Sequence, residues 1–157
     1  MRALVMKFGG SSVVDAAAIS RVITIVALAR ERERAPVVVV SALGGTTDRL
    51  LGLADAASRG QDEAVREGLF AVSQRHTLEA ASLGLDGNGE LAAAMNAIFD
   101  EVRATLDGVR ERRAADPQSL DVIAAAGELL SSLIVSAAMA ARGLPAAWID
   151  ARDVIVT

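Results

Sequence analysis

Two short apolar runs flank an amphipathic segment in the first forty residues, and together they predict a strand, a helix and a second strand. Residues 2–8 and the four valines at 37–40 have the length and composition of buried strands, the second one covered on both faces. Between them, residues 15–34 carry apolar side chains at helical spacing, at Ile19, Val22, Ile23 and Val26. This order predicts a right-handed crossover and a parallel strand pair.

The rest of the chain is predicted to be mainly helical. Residues 50–58, 61–83 and 90–113 have helical patterns separated by glycine-containing turns, and they form a helical excursion over about residues 50–115. Asp116-Pro117 is typical of a helix start, and Gly143 of a helix end. Residues 146–149 are predicted to be a third strand with Trp148 in the core, and a further β-branched run begins at Val154. The predicted fold class is α/β, with a parallel sheet core and flanking helices.

A loop of small residues follows each of the first two strands. Gly-Gly-Ser-Ser begins at Gly9, and Ser-Ala-Leu-Gly-Gly-Thr-Thr-Asp begins at Ser41. Glycines let backbone N–H groups approach an anion, and the next helix would point its partly positive N-terminus at the same place. Both loops leave the carboxyl ends of neighbouring strands, where ligands bind in open α/β sheets. The alternative for Ser41, Thr46 and Thr47 is helix capping.

Lys7, at the end of the first predicted strand, is the only lysine in the chain; every other cationic side chain is an arginine. An ammonium is a compact point charge that can follow a transferring phosphoryl group, whereas a guanidinium is a rigid planar fork. The sequence therefore indicates phosphate binding by the strand end and its loop. The alternative is that the two glycines form only a turn, because short glycine motifs are weak evidence.

Glu128 and His76 are the other polar residues that stand out. Glu128 lies in a helical segment of alanine and leucine, so its carboxylate needs a partner, water or a cleft beside Gly127. The alternative is an exposed polar face shared with Ser131 and Ser132. His76 is the only histidine, and without a second ligand it is predicted to be a surface or structural residue.

Composition excludes several classes of function. The net charge is −4 and no basic face is evident, which argues against nucleic acid as a partner. There is no cysteine, so disulfides and thiolate metal sites are excluded, and no metal site is expected. Aromatic residues make up 3% against 52% hydrophobic, so the core is expected to be aliphatic. No signal peptide is evident, and Asp121 and Glu128 argue against a membrane span in residues 120–141. A cytoplasmic location is expected.

Three sequence blocks in this order resemble the aspartate kinases of the amino acid kinase superfamily. The blocks are KFGGSSV at residues 7–13, SALGGTTDRL at 41–50 and GELLS at 127–131, and the closing WIDAR at 148–152 is also similar. The first block fits the whole superfamily, and the other two point to aspartate kinase. Asp48 departs from the asparagine that is common there, and Gly44-Gly45 makes the loop looser. The resemblance covers nearly the whole chain.

The resemblance implies phosphorylation of the L-aspartate side-chain carboxylate by ATP, the first step of lysine, threonine and methionine synthesis. It implies that Lys7 is catalytic, that Mg²⁺ is held by the phosphates, and that the complete enzyme is a homo-oligomer. The implied ATP phosphate-binding residues are Lys7, Phe8, Gly9, Gly10, Ser11 and Ser41, and the implied aspartate-binding residues are Thr47 and Glu128.

The family's adenine and ribose site and its regulatory domains come later than Thr157. Residues 1–157 are therefore expected to be the N-terminal portion of a catalytic domain that is inactive alone. The alternative is a non-catalytic binding or assembly module derived from an amino acid kinase.

Overall fold

A two-stranded parallel sheet organises the N-terminal part of the fold. The computed structural model describes residues 3–32 and 35–155, in which strand β1 (Ala3–Phe8) pairs with strand β2 (Ala35–Val40). Lys7 lies opposite Val39 and Phe8 opposite Val40, so the two carboxyl ends are level. The predicted parallel pair is confirmed, and both following loops leave the same edge of the sheet.

Only one face of the sheet is covered by the described residues. Side chains alternate along both strands, and Val5, Val37 and Val39 are 66%, 53% and 45% exposed. Met6, Phe8, Val38 and Val40 point the other way and pack against the core. The described residues therefore cover only one face of residues 37–40, not both as predicted. A run of identical β-branched residues conceals the period of two that distinguishes a covered face from an exposed one.

Five of the six described α-helices agree with the prediction in order and approximate bounds, whereas the last and shortest one was not predicted. The six helices are α1 (Ala16–Glu31), α2 (Thr46–Ser58), α3 (Asp62–Ser82), α4 (Gly89–Arg112), α5 (Pro117–Ala141) and the short α6 (Ala151–Val154). The predicted start of α5 is confirmed, because Oδ1 of Asp116 accepts a hydrogen bond from the Ser119 N–H at 2.7 Å. That bond lowers the pKa of Asp116. Gly143, just beyond α5, has a φ of 75°, as expected of a glycine that ends a helix.

The core lies between α2 and the three long helices. α2 packs against α3, α4 and α5, and α5 also packs against α4. As predicted, the largest fully buried side chains are mostly aliphatic, including Ile19, Leu43, Leu50, Ile123, Leu130 and Ile134. α1 packs against β2 and α5, which joins the sheet to the helices.

The predicted third strand is wrong. Residues 144–150 have no regular secondary structure, and Val154 belongs to α6; residues 156 and 157 lie outside the described part of the chain. Trp148 is 37% exposed rather than in the core, and its Nε1 donates a hydrogen bond to Oγ of Ser132 at 2.8 Å. Strand propensity produces a strand only where a sheet edge accepts it, and this segment is instead attached to α5 by a side chain.

α5 is long and apolar enough to cross a membrane by length and composition alone. However, 56% of its most apolar window is buried within the fold. The core helix of a globular domain meets the same criterion, so this property is weak evidence for a membrane span.

His76 on α3 is completely buried, which agrees with a structural role rather than a surface one. Its Nδ1 lies 2.8 Å from the carbonyl oxygen of Val72, so this nitrogen carries the proton, while Nε2 is buried without a partner in the described residues. The imidazole stands edge-on to the Phe99 ring, with centroids 6.0 Å apart. Burial lowers the pKa of His76, because it disfavours the charged imidazolium.

This environment predicts that the folded state loses stability in mild acid. Below about pH 6.5 the unfolded histidine binds a proton that the folded one does not, so the free energy of unfolding falls by up to about 1.4 kcal/mol per pH unit. Urea unfolding between about pH 7.5 and about pH 5.5 would measure this slope. The non-titrating variant His76→Gln should have a shallower slope. An equal slope in both proteins would exclude His76 as the cause.

Candidate active site

The two loops that follow β1 and β2 touch each other at the carboxyl edge of the sheet. The N–H of Ser41 donates to the carbonyl oxygen of Phe8 at 3.1 Å, which joins the end of β1 to the start of the second loop. A Cβ placed on Gly10 would lie 3.6 Å from the Ala42 oxygen and 3.9 Å from Oγ of Ser41. The first loop therefore approaches the second one to van der Waals distance.

The first loop forms one turn of 3₁₀ helix over Gly10–Ser12 before α1 begins. The N-terminus of α1 is already occupied by two carboxylates. Asp15 accepts from the Ala18 N–H at 2.7 Å, and Oε2 of Glu79 accepts from the Ala16 N–H at 2.7 Å. The expectation that this helix end would face a bound anion is therefore wrong, because protein carboxylates compensate its partial positive charge.

The second loop, by contrast, leads into a helix whose N-terminus has no side-chain cap. Gly45 is the N-cap residue of α2, with a left-handed φ of 76°, and no side chain accepts a hydrogen bond there. The capping alternative for Ser41, Thr46 and Thr47 is thus wrong. α1, α4 and α5 are capped by Asp15, Asn88 and Asp116. The first turn of α2 therefore has backbone donors that no described side chain caps.

α5 packs directly on the second loop because Gly127 has no side chain. A Cβ at this position would lie 2.8 Å from Cβ of Ala42, 3.3 Å from Cγ2 of Thr46 and 3.6 Å from Oγ1 of Thr47. One turn further along, the buried Ser131 donates from Oγ to the carbonyl oxygen of Ser41 at 2.7 Å. The three sequence blocks that the resemblance identified therefore meet in space.

Glu128 directly follows Gly127, the residue at which α5 packs against the second loop. Its side chain is half-buried, and within residues 3–32 and 35–155 its carboxylate forms no ion pair or hydrogen bond. The alternative of an exposed polar face on α5 is wrong, because Ser131 is fully buried and Ser132 binds Trp148. The half-buried carboxylate of Glu128 therefore has no partner among the described residues.

Lys7 lies on the exposed face of β1, one residue before the strand ends. Its ammonium forms no ion pair in the part of the chain that the structure describes, whereas several arginines are paired with carboxylates. Lys7 and Glu128 form no ion pair with each other. Gly9 and Ser11 are exposed at the same loop, so this end of the sheet presents a cation and accessible backbone.

Two residues of the helical excursion contact the loops and were not anticipated from the sequence. Arg75 on α3 donates from Nη1 to the Gly44 oxygen at 2.6 Å and from Nη2 to the Val14 oxygen at 3.0 Å. Glu79, one turn later, binds the Ala16 N–H. The helical excursion therefore contacts both loops through side chains of α3. In a sequence, an arginine and a glutamate four residues apart cannot be distinguished from an ordinary solvated helix pair.

A separate groove of about 600 Å³ lies between α3 and α4, lined by residues that include Val65, Phe70, Phe99 and Arg103. It contains none of the predicted site residues. Among the described residues, no group of three or more histidine, aspartate or glutamate side chains could hold a metal ion.

Comparison with known proteins identifies the family of this chain. The family model described as the amino acid kinase family matches residues 2–156. The chain belongs to the amino acid kinase family. Its relatives include a chloroplastic bifunctional aspartokinase/homoserine dehydrogenase of Arabidopsis thaliana, 30% identical over 97% of the chain, and an aspartokinase of Chlamydia trachomatis, 34% identical over 98%. The resemblance predicted from the sequence is confirmed.

The fold matches solved aspartokinases as well. Escherichia coli aspartokinase III, solved with aspartate and ADP, is similar to this chain with a TM-score of 0.81 and 26% identity. The match covers 96% of the present chain. The same enzyme solved with lysine and aspartate gives a TM-score of 0.78. The chain spans 16% of the Arabidopsis relative, and 32% of both the Chlamydia relative and the E. coli chain. The predicted partial amino acid kinase fold is confirmed.

The packing at Gly127 generates a stability prediction. In Gly127→Ala the new methyl group would overlap Ala42 and push α5 from the second loop, which should lower the free energy of unfolding by about 1–3 kcal/mol. The matched control is Gly52→Ala on α2, where a Cβ meets nothing within 4 Å. This control should gain about 0.5–1 kcal/mol, because alanine is the better helix former.

Urea unfolding of both variants would measure the difference. If Gly127→Ala were as stable as Gly52→Ala, the close approach of α5 to the loop would be excluded.

Proposed function

We propose that this chain forms part of an aspartokinase site that transfers the γ-phosphate of ATP to the side-chain carboxylate of L-aspartate. The observation that carries the proposal is the meeting of three elements: the glycine loop after Lys7, the uncapped N-terminus of α2, and Glu128. The aspartokinase relatives, and a solved neighbour described as a complex with aspartate and ADP, support the choice of substrates.

In this proposal the phosphates bind at the carboxyl edge of the sheet. Gly9, Gly10 and Ser11 supply backbone donors, with Phe8 at the loop start and Ser41 on the facing loop. A Cβ on Gly10 would lie 3.9 Å from Oγ of Ser41, so a larger residue would occupy space between the two loops that glycine leaves free. Lys7 supplies the positive charge, and the absence of a described carboxylate partner for its ammonium favours this role.

L-Aspartate is proposed to bind at Thr47 and Glu128. The carboxylate of Glu128 binds the substrate ammonium, which would give this half-buried charge the partner that the described protein residues do not supply. The hydroxyl of Thr47 faces Gly127 and can donate a hydrogen bond to a substrate carboxylate. Together the two residues distinguish an amino acid from a simple dicarboxylic acid.

The chemistry needs charge and alignment rather than proton transfer. A side-chain carboxylate oxygen of aspartate forms a bond to the γ-phosphorus while the bond to the β–γ bridging oxygen breaks, giving an acyl phosphate and ADP. An ionised carboxylate is already a nucleophile, so no general base is required. Lys7 neutralises charge on the transferring group, and the loop amides orient it.

Several further assignments belong to the same proposal. Mg²⁺ is held by the phosphates rather than by a dedicated protein site. The chain represents the N-terminal portion of the catalytic domain, and the adenine and ribose site is supplied by sequence beyond these residues, because the relatives are three to six times longer. The complete enzyme acts in the cytoplasm as a homo-oligomer without membrane or nucleic-acid partners, and serves lysine and threonine synthesis.

The proposal predicts aspartyl hydroxamate formation from L-aspartate, MgATP and hydroxylamine by the protein translated from the full reading frame that contains this chain. Lys7→Ala should lower kcat by about 10²–10³, because a preorganised charge at the reacting group is lost. Glu128→Gln should act mainly on the KM for aspartate, because it removes the partner of the substrate ammonium.

Product from glutamate but not from aspartate would overturn the substrate assignment. Absence of turnover with any amino acid, with folding intact, would favour the alternative of a binding or assembly module.

A further inference from the structure

One guanidinium holds both site loops. Arg75 extends from α3 and donates from Nη1 to the Gly44 oxygen at 2.6 Å and from Nη2 to the Val14 oxygen at 3.0 Å. Val14 lies just after the 3₁₀ turn of the first loop, and Gly44 lies in the second loop just before α2. Because the two nitrogens belong to one rigid planar group, the two bonds fix the distance between the loops.

Glu79 makes a matching contact one helical turn later. Its Oε2 accepts from the N–H of Ala16, the first residue of α1, at 2.7 Å. Residues four apart lie on the same face of a helix, so this face of α3 offers one donor group and one acceptor group to the loop backbone. Both contacts are charge-assisted, and they are stronger than hydrogen bonds between neutral groups.

The loops combine buried anchors with exposed glycines. Val13, Ala42 and Leu43 are buried, whereas the glycine-containing parts at Gly9 and Gly45 are exposed and gain from a further support. Glycine has the greatest backbone freedom of any residue, so such segments do not hold one conformation without tertiary contacts. The two loops do touch, since a Cβ on Gly44 would lie 2.8 Å from Cγ2 of Val14. Arg75 binds the carbonyl oxygens of these same two residues.

α3 is itself firmly anchored at this point. Leu69, Val72, His76 and Ala80 of α3 are buried in the core, and His76 directly follows Arg75. The α3 backbone can therefore act as a fixed reference for the loops. α3 and α4 contain no predicted site residue. Through Arg75 and Glu79, however, α3 connects the helical excursion to the loops at the edge of the sheet.

We propose that Arg75 and Glu79 are positioning residues that hold the two loops in register for phosphoryl transfer. They do not touch the reacting atoms; they set the separation and orientation of the loop backbone. The catalytic part of this inference rests on the proposed function, whereas the structural part does not. Phosphoryl transfer depends on alignment, so a small change in loop separation should lower the rate.

The first test measures loop motion in the chain by amide hydrogen exchange. In Arg75→Met, which retains length and loses all donors, the amides of Ser12, Val13 and Thr46 should exchange about tenfold faster or more. The amides of α5 should keep their protection. The matched control is Arg66→Met on the same helix, because Arg66 pairs with Glu63 and forms no hydrogen bond to either loop among the described residues.

Two further variants keep the test decisive if Arg75→Met does not fold. Arg75→Lys retains one donor group without the planar fork, so it should give exchange between that of wild type and Arg75→Met. Glu79→Gln should expose the Ala16 amide selectively, since a neutral amide oxygen is the weaker acceptor. Unchanged loop exchange in these variants, or an equal increase over the whole chain, would overturn the proposal.

The second test measures catalysis in the protein from the full reading frame. Arg75→Met should lower kcat by about tenfold or more, with a smaller change in the KM for aspartate. Arg75→Lys should recover part of the lost kcat. Arg66→Met should have the kcat and KM of wild type. If wild type shows no hydroxamate activity, the proposed function fails while the exchange data still decide the loop contacts. If wild type is active and Arg75→Met matches it in kcat and in loop exchange, the positioning role fails and the proposed function remains.

Discussion

The contact between α5 and the second loop is the constraint on which the site depends. It consists of a glycine without a side chain and a buried hydroxyl, at Gly127 and Ser131, and both meet the loop backbone that follows β2. A helix built of alanine and leucine would otherwise bury its apolar face at whatever depth packing allowed. Here a hydrogen bond to the Ser41 carbonyl fixes both depth and rotation, and so it determines where Glu128 lies.

The N-termini of α1 and α2 show how similar loops acquire different electrostatic properties. Both helices follow glycine-containing loops at the same edge of the sheet. Asp15 and Glu79 bind the first N–H groups of α1, whereas α2 begins at Gly45 without a side-chain cap. Carboxylates outside the first glycine motif therefore compensate the N-terminus of α1, whereas no side chain caps α2, although Asp48 lies in its first turn.

Much of the fold was predictable because local signals determine it. The apolar runs, the helical spacing of α1 and the Asp116-Pro117 start gave elements that the structure confirms. The third strand predicted at residues 146–149 does not form, because a strand needs a partner edge, and Trp148 binds Ser132 instead. The exposed face of the sheet escaped prediction for a related reason, since a run of valines has no visible alternation.

The three sequence blocks of the site were predictable, but the side-chain contacts that hold its loops in place were not. Motif order placed the two loops and Glu128 together, and the structure brings Gly10, Ala42 and Gly127 into one contact region. Arg75 was not predictable, because its partners are carbonyl oxygens at residues 14 and 44, and backbone acceptors have no sequence signature. Contacts of this kind depend on where a helix is placed, which only the tertiary structure determines.

The level pairing of β1 and β2 has a consequence for how this family of sites tolerates change. Side chains of a strand alternate between faces, so a slip of one residue would exchange the two faces of β1. Lys7 would then turn into the core and Phe8 out of it, which would bury an unpaired ammonium and expose an aromatic ring. The face on which Lys7 lies therefore depends on the number of residues in β1. Insertions in the loops leave Lys7 on the exposed face, whereas a single residue inserted in β1 would turn its side chain towards the core.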